Sequence, residues 1–311
     1  MLFLSEERVR HLLRPEELVP ALERALVDYS RGQITQPLRM IVPVTEHAGW
    51  FALMPAVYGE VMGAKLVTVF PANANRGLHT HLATILLFRA GTGEPIAVMD
   101  GRWITAWRTA AVSALATREL AKRDARVLAI LGSGIQARTH FEALKWVRQF
   151  DEIRVWSRTP EHAARFAADI GARAMEAERA VRGADVIVTA TNASEPVLYG
   201  GWLKDGAHVN GIGAIGPRAR EIDDEAMKDA AIVVECRHAA SQESGDIIQS
   251  GARVYAELGE LLAGDKTKPS SRITIYKSLG IAVEDIAAAR LVYEKAAREQ
   301  MPPDCDMFLG A

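Results

Sequence analysis

The run Val127-Leu128-Ala129-Ile130-Leu131 passes directly into Gly132-Ser133-Gly134-Ile135-Gln136-Ala137, and a helical pattern then extends to about Phe150. A short apolar run closed by glycine reads as a buried strand. In such a turn the first glycine permits the tight bend. The second lets the backbone come close to an anion, and a small residue at the position of Ala137 lets the helix pack against the sheet. The N–H groups and the positive dipole end of the helix then favour phosphate. Glycine turns also serve packing alone, so the motif is weak in isolation. Here a second strand, Ile153-Arg154-Val155-Trp156, follows in register. Its helix starts at Thr159-Pro160-Glu161, with an N-cap, a proline at the first position and an acid in the first turn. Further strands read at 185–190, 207–212 and 231–235. Strands alternating with helices require a parallel sheet covered on both faces. This half is therefore expected to be a Rossmann unit binding a dinucleotide through Gly132, Ser133, Gly134, Ile135, Gln136 and Ala137.

The end of the second strand reports on the cofactor. A site for NAD places Asp or Glu there, to bind the ribose hydroxyls. This chain has Ser157, Arg158 and Thr159. An arginine with two hydroxyls suits a 2′-phosphate, so NADPH is expected in preference to NADH. The plainer alternative is a surface arginine beside a helix cap.

Upstream, the pattern differs. Pro15 occupies a first helical position, and Leu18, Leu22, Ala25, Leu26 and Tyr29 follow at helical spacing as far as Gly32. Segments 37–44, 50–58, 61–70, 80–88 and 95–100 then read as strands, the last two joined by a turn at Gly91-Thr92-Gly93. A helix of small residues from Ile104 to about Leu120 closes the run. The expected architecture is α/β: an α+β substrate-binding and dimerisation domain over 1–118, joined by the segment 290–311, and a Rossmann domain over 119–289. The final helix, about 281–298, could pack against either half.

A chain of 311 residues is long enough for two such cores. Its 37 basic and 39 acidic residues give a net charge of −2 with no block of one sign, which argues against nucleic acid or an acidic membrane as partner. Cys236 and Cys305 are too few for a disulfide framework or a thiolate zinc site. The opening Met1-Leu2-Phe3-Leu4 runs straight into Ser5-Glu6-Glu7, and no apolar run approaches the roughly 20 residues that span a bilayer. A cytoplasmic enzyme is the expectation.

Three cations stand where strands and helices should be apolar. Lys65 shares its alternating face with Val61, Gly63, Val67 and Val69, and is either an edge-strand guard or the wall of an anion site. Arg39 opens another strand and poses the same choice. Arg108 lies in a small-residue helix and needs a carboxylate, phosphate or ligand as partner. Together they point to an anionic substrate. His79 and His81 flank Thr80 at i, i+2 spacing without a third metal ligand in view, so no metal site is expected.

These segments resemble, in order, the ornithine cyclodeaminase/μ-crystallin family. The resemblance rests on Gln36-Pro37-Leu38-Arg39, Lys65-Leu66-Val67-Thr68, Ala97-Val98-Met99-Asp100-Gly101 and Arg108-Thr109-Ala110-Ala111. Glu243-Ser244-Gly245-Asp246, Lys277-Ser278-Leu279-Gly280 and Val283-Glu284-Asp285 complete it. It covers nearly the whole chain and is closest to the μ-crystallin (ketimine reductase) branch. It implies a homodimer paired through the first domain and an active site in the cleft between domains. It implies that Arg39, Lys65 and Arg108 hold a substrate carboxylate, with His81 bordering it. Thr109 is then close to the cofactor pyrophosphate and Ser278, Leu279 and Gly280 close to the nicotinamide, with Thr191 counted among the cofactor residues. One departure matters: cyclodeaminases carry a catalytic aspartate where this chain reads Gly213-Ala214-Ile215-Gly216, so Ile215 speaks against ornithine cyclisation.

The activity implied is NADPH-dependent reduction of the C=N bond of a cyclic ketimine acid, of the piperideine- or pyrroline-carboxylate type. A ketimine that enters protonated accepts hydride without a strong acid, and Lys65 or His81 could deliver or steady a proton. The alternatives are an alanine-dehydrogenase-like enzyme, which usually works with NAD, and a non-catalytic binding protein of the μ-crystallin type.

Overall fold

A computed structural model describes residues 1–300; Cys305 and the end of the segment 290–311 lie outside them. The described chain forms two compact units, Met1–Arg108 with the segment from Ile281, and Thr109–Gly280. These limits differ from divisions at 118/119 and 289/290, for two reasons. At the first, helix Arg102–Leu120 runs through both 108/109 and 118/119, and only its opening turns belong to the first unit. Helix Ala282–Arg298 belongs to the first unit from its opening turn, where the Val283 N–H donates to Gln36 Oε1 at 2.9 Å.

The first unit is built on a six-stranded sheet: β1 (Leu2–Leu4), β2 (Met40–Val44), β3 (Gly49–Tyr58), β4 (Val61–Val69), β5 (His81–Arg89) and β6 (Pro95–Asp100), in the order β1-β6-β5-β4-β3-β2. All pairs are antiparallel except β1 with β6. The period-2 alternation of β4 puts Val61, Gly63, Lys65 and Val67 on one buried face. Helix Ala282–Arg298 lies on this face: a Cβ on Gly63 would come within 2.9 Å of Ile286 Cδ1. Because β4 is flanked by β3 and β5, Lys65 is no edge guard.

The second unit carries an all-parallel sheet: β7 (Val127–Leu131), β8 (Glu152–Trp156), β9 (Arg173–Ala174), β10 (Val186–Thr189), β11 (His208–Gly211), β12 (Ala230–Val234), β13 (Val254–Glu257) and β14 (Ile273–Lys277). Its order is β13-β12-β14-β11-β10-β7-β8-β9. Residues of β7, β8 and β10 form a core with Ala137, Phe141 and Phe166 from the covering helices. The first strand, β7, lies between β8 and β10, so the chain reverses direction across the sheet at β7/β10. Ligands of doubly wound sheets bind outside the carboxyl ends of the strands at such a point.

Strands β13 and β14 were not expected from the sequence, although β14 sits inside the sheet; it is only five residues long and ends on a lysine. The helix after the glycine turn is Ile135–Leu144, shorter than the pattern to Phe150. The chain turns away after it, and Arg148 donates to the carbonyls of Thr117, Ala121 and Lys122, satisfying the end of helix Arg102–Leu120. Cys236 is a buried thiol outside any disulfide, and its Sγ accepts from the Ala239 N–H at 3.3 Å. No helix among the described residues is long and apolar enough to cross a membrane.

Candidate active site

In the first unit Lys65, Arg108, Glu284 and Asp285 meet. Lys65 Nζ lies 2.7 Å from Asp285 Oδ2, Arg108 Nη1 lies 2.7 Å from Glu284 Oε2, and Arg108 Nε lies 3.2 Å from Asp285 Oδ1. All four side chains are buried. Arg108 thus has carboxylate partners, brought by a helix far away in sequence. Burial opposes the charge of Asp285, but Lys65 and Arg108 override it and hold the carboxyl below its usual range. Burial lowers Lys65 to about 8; Asp285 resists this, while Arg108 and Arg39 reinforce it.

Arg39, half-buried just before β2, is therefore close enough to act on Lys65. Arg39 thus adds to the positive field that Lys65 and Arg108 create here. His81 opens β5, where burial, followed by Lys65 and Arg108, pushes it down to about 4, so its ring is neutral at pH 7. His79 is exposed and does not share this environment. Among the described residues no group of three His, Cys, Asp or Glu could hold a metal ion.

In the second unit the glycine turn has the geometry its chemistry requires. Gly132 has φ 135°, and a Cβ there would fall 2.4 Å from the Ala190 carbonyl oxygen. Its N–H donates to the Trp156 carbonyl at 2.8 Å. Gly134 caps helix Ile135–Leu144 without any side-chain bond to the helix start, and a Cβ there would meet nothing within 4 Å. Unshielded helix N–H groups beside open space fit a pyrophosphate. Ala137 is fully buried, whereas Ile135 is exposed.

The turn and the end of β8 meet through Ser133 Oγ and Ser157 Oγ, 3.0 Å apart. Arg158 is exposed beside them. Thr159 makes no side-chain cap bond to its helix. These residues can hold a dinucleotide, with the adenosine ribose toward 157–159.

Other assigned residues are committed within the protein. Thr191 donates its hydroxyl (2.6 Å) and its N–H (2.7 Å) to Glu221 Oε1. Ser278 donates its hydroxyl to Glu235 at 2.8 Å, and Ser278 and Leu279 are buried. Thr109 is buried as well.

The structure adds a buried network that the sequence reading missed. Gly213 donates its N–H to Glu221 Oε2 at 2.7 Å, and its carbonyl accepts from Lys277 Nζ at 2.5 Å. Lys277 pairs with Asp246 at 2.9 Å, and Asp246 accepts from the N–H groups of Glu221 and Ile222. Burial pushes the Glu221 carboxyl up, against the opposing pull of Lys277 and of Thr191 and Thr189. Gly245 lets Ala219 come close, since a Cβ there would lie 2.0 Å from its carbonyl oxygen. The Glu243-Ser244-Gly245-Asp246 motif is thus a brace for the 213–222 loop. That loop holds Ala214 at φ 56° and leaves Ile215 exposed. The available signal was a charge at the end of each apolar strand, Lys277 after β14's apolar residues and Glu235 just beyond β12.

The family model for ornithine cyclodeaminase/mu-crystallin proteins matches residues 1–300. The chain belongs to that family. It is 46% identical over 301 residues to the ketimine reductase mu-crystallin of Mus musculus, covering 94% of this chain and 96% of that protein. It is also similar to the Thermococcus litoralis Δ1-pyrroline-2-carboxylate reductase structure in complex with NADH and L-proline: TM-score 0.92, 36% identity, 96% of this chain and 98% of that one. An archaeal alanine dehydrogenase dimer with bound NAD superposes at TM-score 0.91 with 33% identity, covering 97% of each chain.

Proposed function

We propose that this member of the family reduces the C=N bond of a cyclic ketimine carboxylate to a cyclic amino acid, with NADPH as the preferred reductant. The observation that carries the reading is the buried cluster of Lys65 and Arg108 with Glu284 and Asp285, with the half-buried Arg39 acting on Lys65. Its cations suit a carboxylate, and the pairs with Glu284 and Asp285 hold Lys65 and Arg108 in place before the acid arrives. Similarity to ketimine and pyrroline-carboxylate reductases supports the same substrate class.

The reduced nicotinamide supplies the hydride when bound. The protein's own part is to fix the acid and manage a proton. The cation cluster anchors the carboxylate, so the imine carbon next to it has a defined place. Lys65, at about 8, keeps its proton at neutral pH and can share it with the imine nitrogen. His81, at about 4, carries no extra proton to give and serves as a neutral hydrogen-bonding wall. Ile215 presents hydrocarbon where a cyclodeaminase presents a carboxylate, which disfavours ornithine cyclisation.

Arg158 supports NADPH, being exposed beside Ser157 and Thr159 with no acid paired to it among the described residues. A homodimer through the first unit is supported by edge strand β2, whose Met40, Ile41 and Val42 are all exposed.

A cofactor-oxidation panel tests the reading: NADPH and NADH, each with piperideine-2-carboxylate, pyrroline-2-carboxylate, and pyruvate plus ammonia. Turnover of the cyclic imines with NADPH is the expected result. Turnover only with pyruvate and ammonia would make the chain an amino-acid dehydrogenase. Tight NADPH binding without any turnover would make it a binding protein.

A further inference from the structure

We propose that Glu235 is a positioning residue for the nicotinamide end of the cofactor; this rests on the dinucleotide reading above. Glu235 follows β12 and is 1% exposed. Its Oε1 accepts from Tyr276 Oη at 2.6 Å, Ser278 Oγ at 2.8 Å and the Gly280 N–H at 3.1 Å, and the Leu279 N–H lies 3.2 Å from both carboxylate oxygens. Every one of these donors comes from the stretch 276–280, where the chain leaves β14 at the carboxyl edge of the sheet.

A buried carboxylate is costly unless its lone pairs are filled. The four residues before Glu235 are apolar, Ala231-Ile232-Val233-Val234. An apolar residue would therefore extend the core with no such cost, unless the acid has the task of gathering these donors. The two backbone N–H groups can only donate, so they fix the carboxyl as an acceptor. The peptide bonds are trans. With the Leu279 and Gly280 N–H groups aimed at Glu235, the carbonyls of Ser278 and Leu279 are directed to the opposite side of the segment. Gly280, at φ 70°, then turns the chain out of the sheet. Glu235 thereby sets the orientation of 278–280, the segment that the family resemblance puts beside the nicotinamide.

The test compares two ligands that share the adenosine half. Dissociation constants for NADPH and for adenosine 2′,5′-bisphosphate, which has no nicotinamide, are measured on the full chain and on Glu235→Leu and Glu235→Gln. NADH and ADP-ribose are run in parallel, so that the choice made at Arg158 does not affect the outcome. Glu235→Leu is expected to weaken the dinucleotide about tenfold and leave the half-molecule within about twofold, because only the nicotinamide end loses its support. Its kcat should fall while KM for the acid holds. Glu235→Gln keeps an acceptor oxygen and should restore most of the difference. If Glu235→Leu does not fold, Ser278→Ala, which removes one donor, should show the same selective loss in smaller measure.

Equal weakening of both ligands, or none, would overturn the inference. A wild-type chain that binds neither ligand would overturn the dinucleotide reading itself, and this inference with it.

Discussion

The Nζ of Lys65, on an inner strand of the first sheet, lies 2.7 Å from Oδ2 of Asp285 on helix Ala282–Arg298, and both side chains are buried. Arg108 approaches the same carboxylate with Nε, so one aspartate organises both cations. A buried cluster of this kind fixes geometry more than it adds stability, because desolvation consumes much of the Coulomb attraction. Removing Asp285 is a different matter, since Arg108 keeps Glu284 while Lys65 loses the carboxylate that faces its buried charge. Asp285→Asn should therefore destabilise the protein by about 3–5 kcal/mol, read by denaturant unfolding. Any folded fraction should lose affinity for carboxylates. A change below about 1 kcal/mol would mean that the pair is not buried as described.

Lys65 should impose a pH limit on acid binding. Its pKa is about 8 in the folded chain, against an ordinary 10.5. The depressed value means that the folded state holds fewer protons than the unfolded chain between these limits. The penalty for burying the charge is complete below about 8 and relieved as pH rises toward 10.5. Acid binding runs the other way, because the cation is lost as pH rises through 8. The inhibition constant of pyrrole-2-carboxylate, ionised throughout this range, should rise above pH 8 and stay flat between 6 and 7.5. Lys65→Met should abolish the dependence. No inflection should belong to His81 above pH 5, since its pKa is about 4.

The two glycines of the nucleotide turn should respond differently to alanine. At Gly132 the new Cβ meets the Ala190 carbonyl at 2.4 Å and the backbone has φ 135°, so Gly132→Ala should lower stability and cofactor affinity together. At Gly134 nothing stands within 4 Å. Gly134→Ala should unfold within about 1 kcal/mol of wild type yet bind dinucleotide at least about tenfold more weakly, because the methyl occupies the space for the pyrophosphate. Thermal unfolding with and without cofactor separates the two.

Arg158→Asp tests the cofactor preference. Exchanging a cation for a carboxylate at the end of β8 replaces attraction for a 2′-phosphate with repulsion. The kcat/KM for NADPH should fall about a hundredfold, while that for NADH stays level or improves. An equal fall for both would place Arg158 outside the ribose pocket.

What could be read from the sequence was mostly local. The turn Gly132–Ala137 is legible because each of its requirements lies within six neighbouring residues. The burial of Lys65 and Arg108 was readable as a conflict between a charge and its apolar surroundings. Its resolution was not, because Glu284 and Asp285 arrive from the other end of the chain, and spacing carries no information about which helix covers which sheet face. The inner strand β14 escaped for a related reason: Lys277 gives it a polar end, and only the fold supplies Asp246 and Gly213 as its partners.

A ketimine reductase moves a hydride onto the α-carbon of a cyclic imino acid. The most direct measurement follows the hydrogen itself. NADPH carrying deuterium at the transferable C4 position is incubated with piperideine-2-carboxylate and the chain, and the product is analysed by mass spectrometry and NMR. The expected product is pipecolate of a single hand with one deuterium at the α-carbon, formed in step with NADPH oxidation. NADPH oxidation that yields no α-deuterated cyclic acid, or dinucleotide binding without any transfer, would contradict that reading.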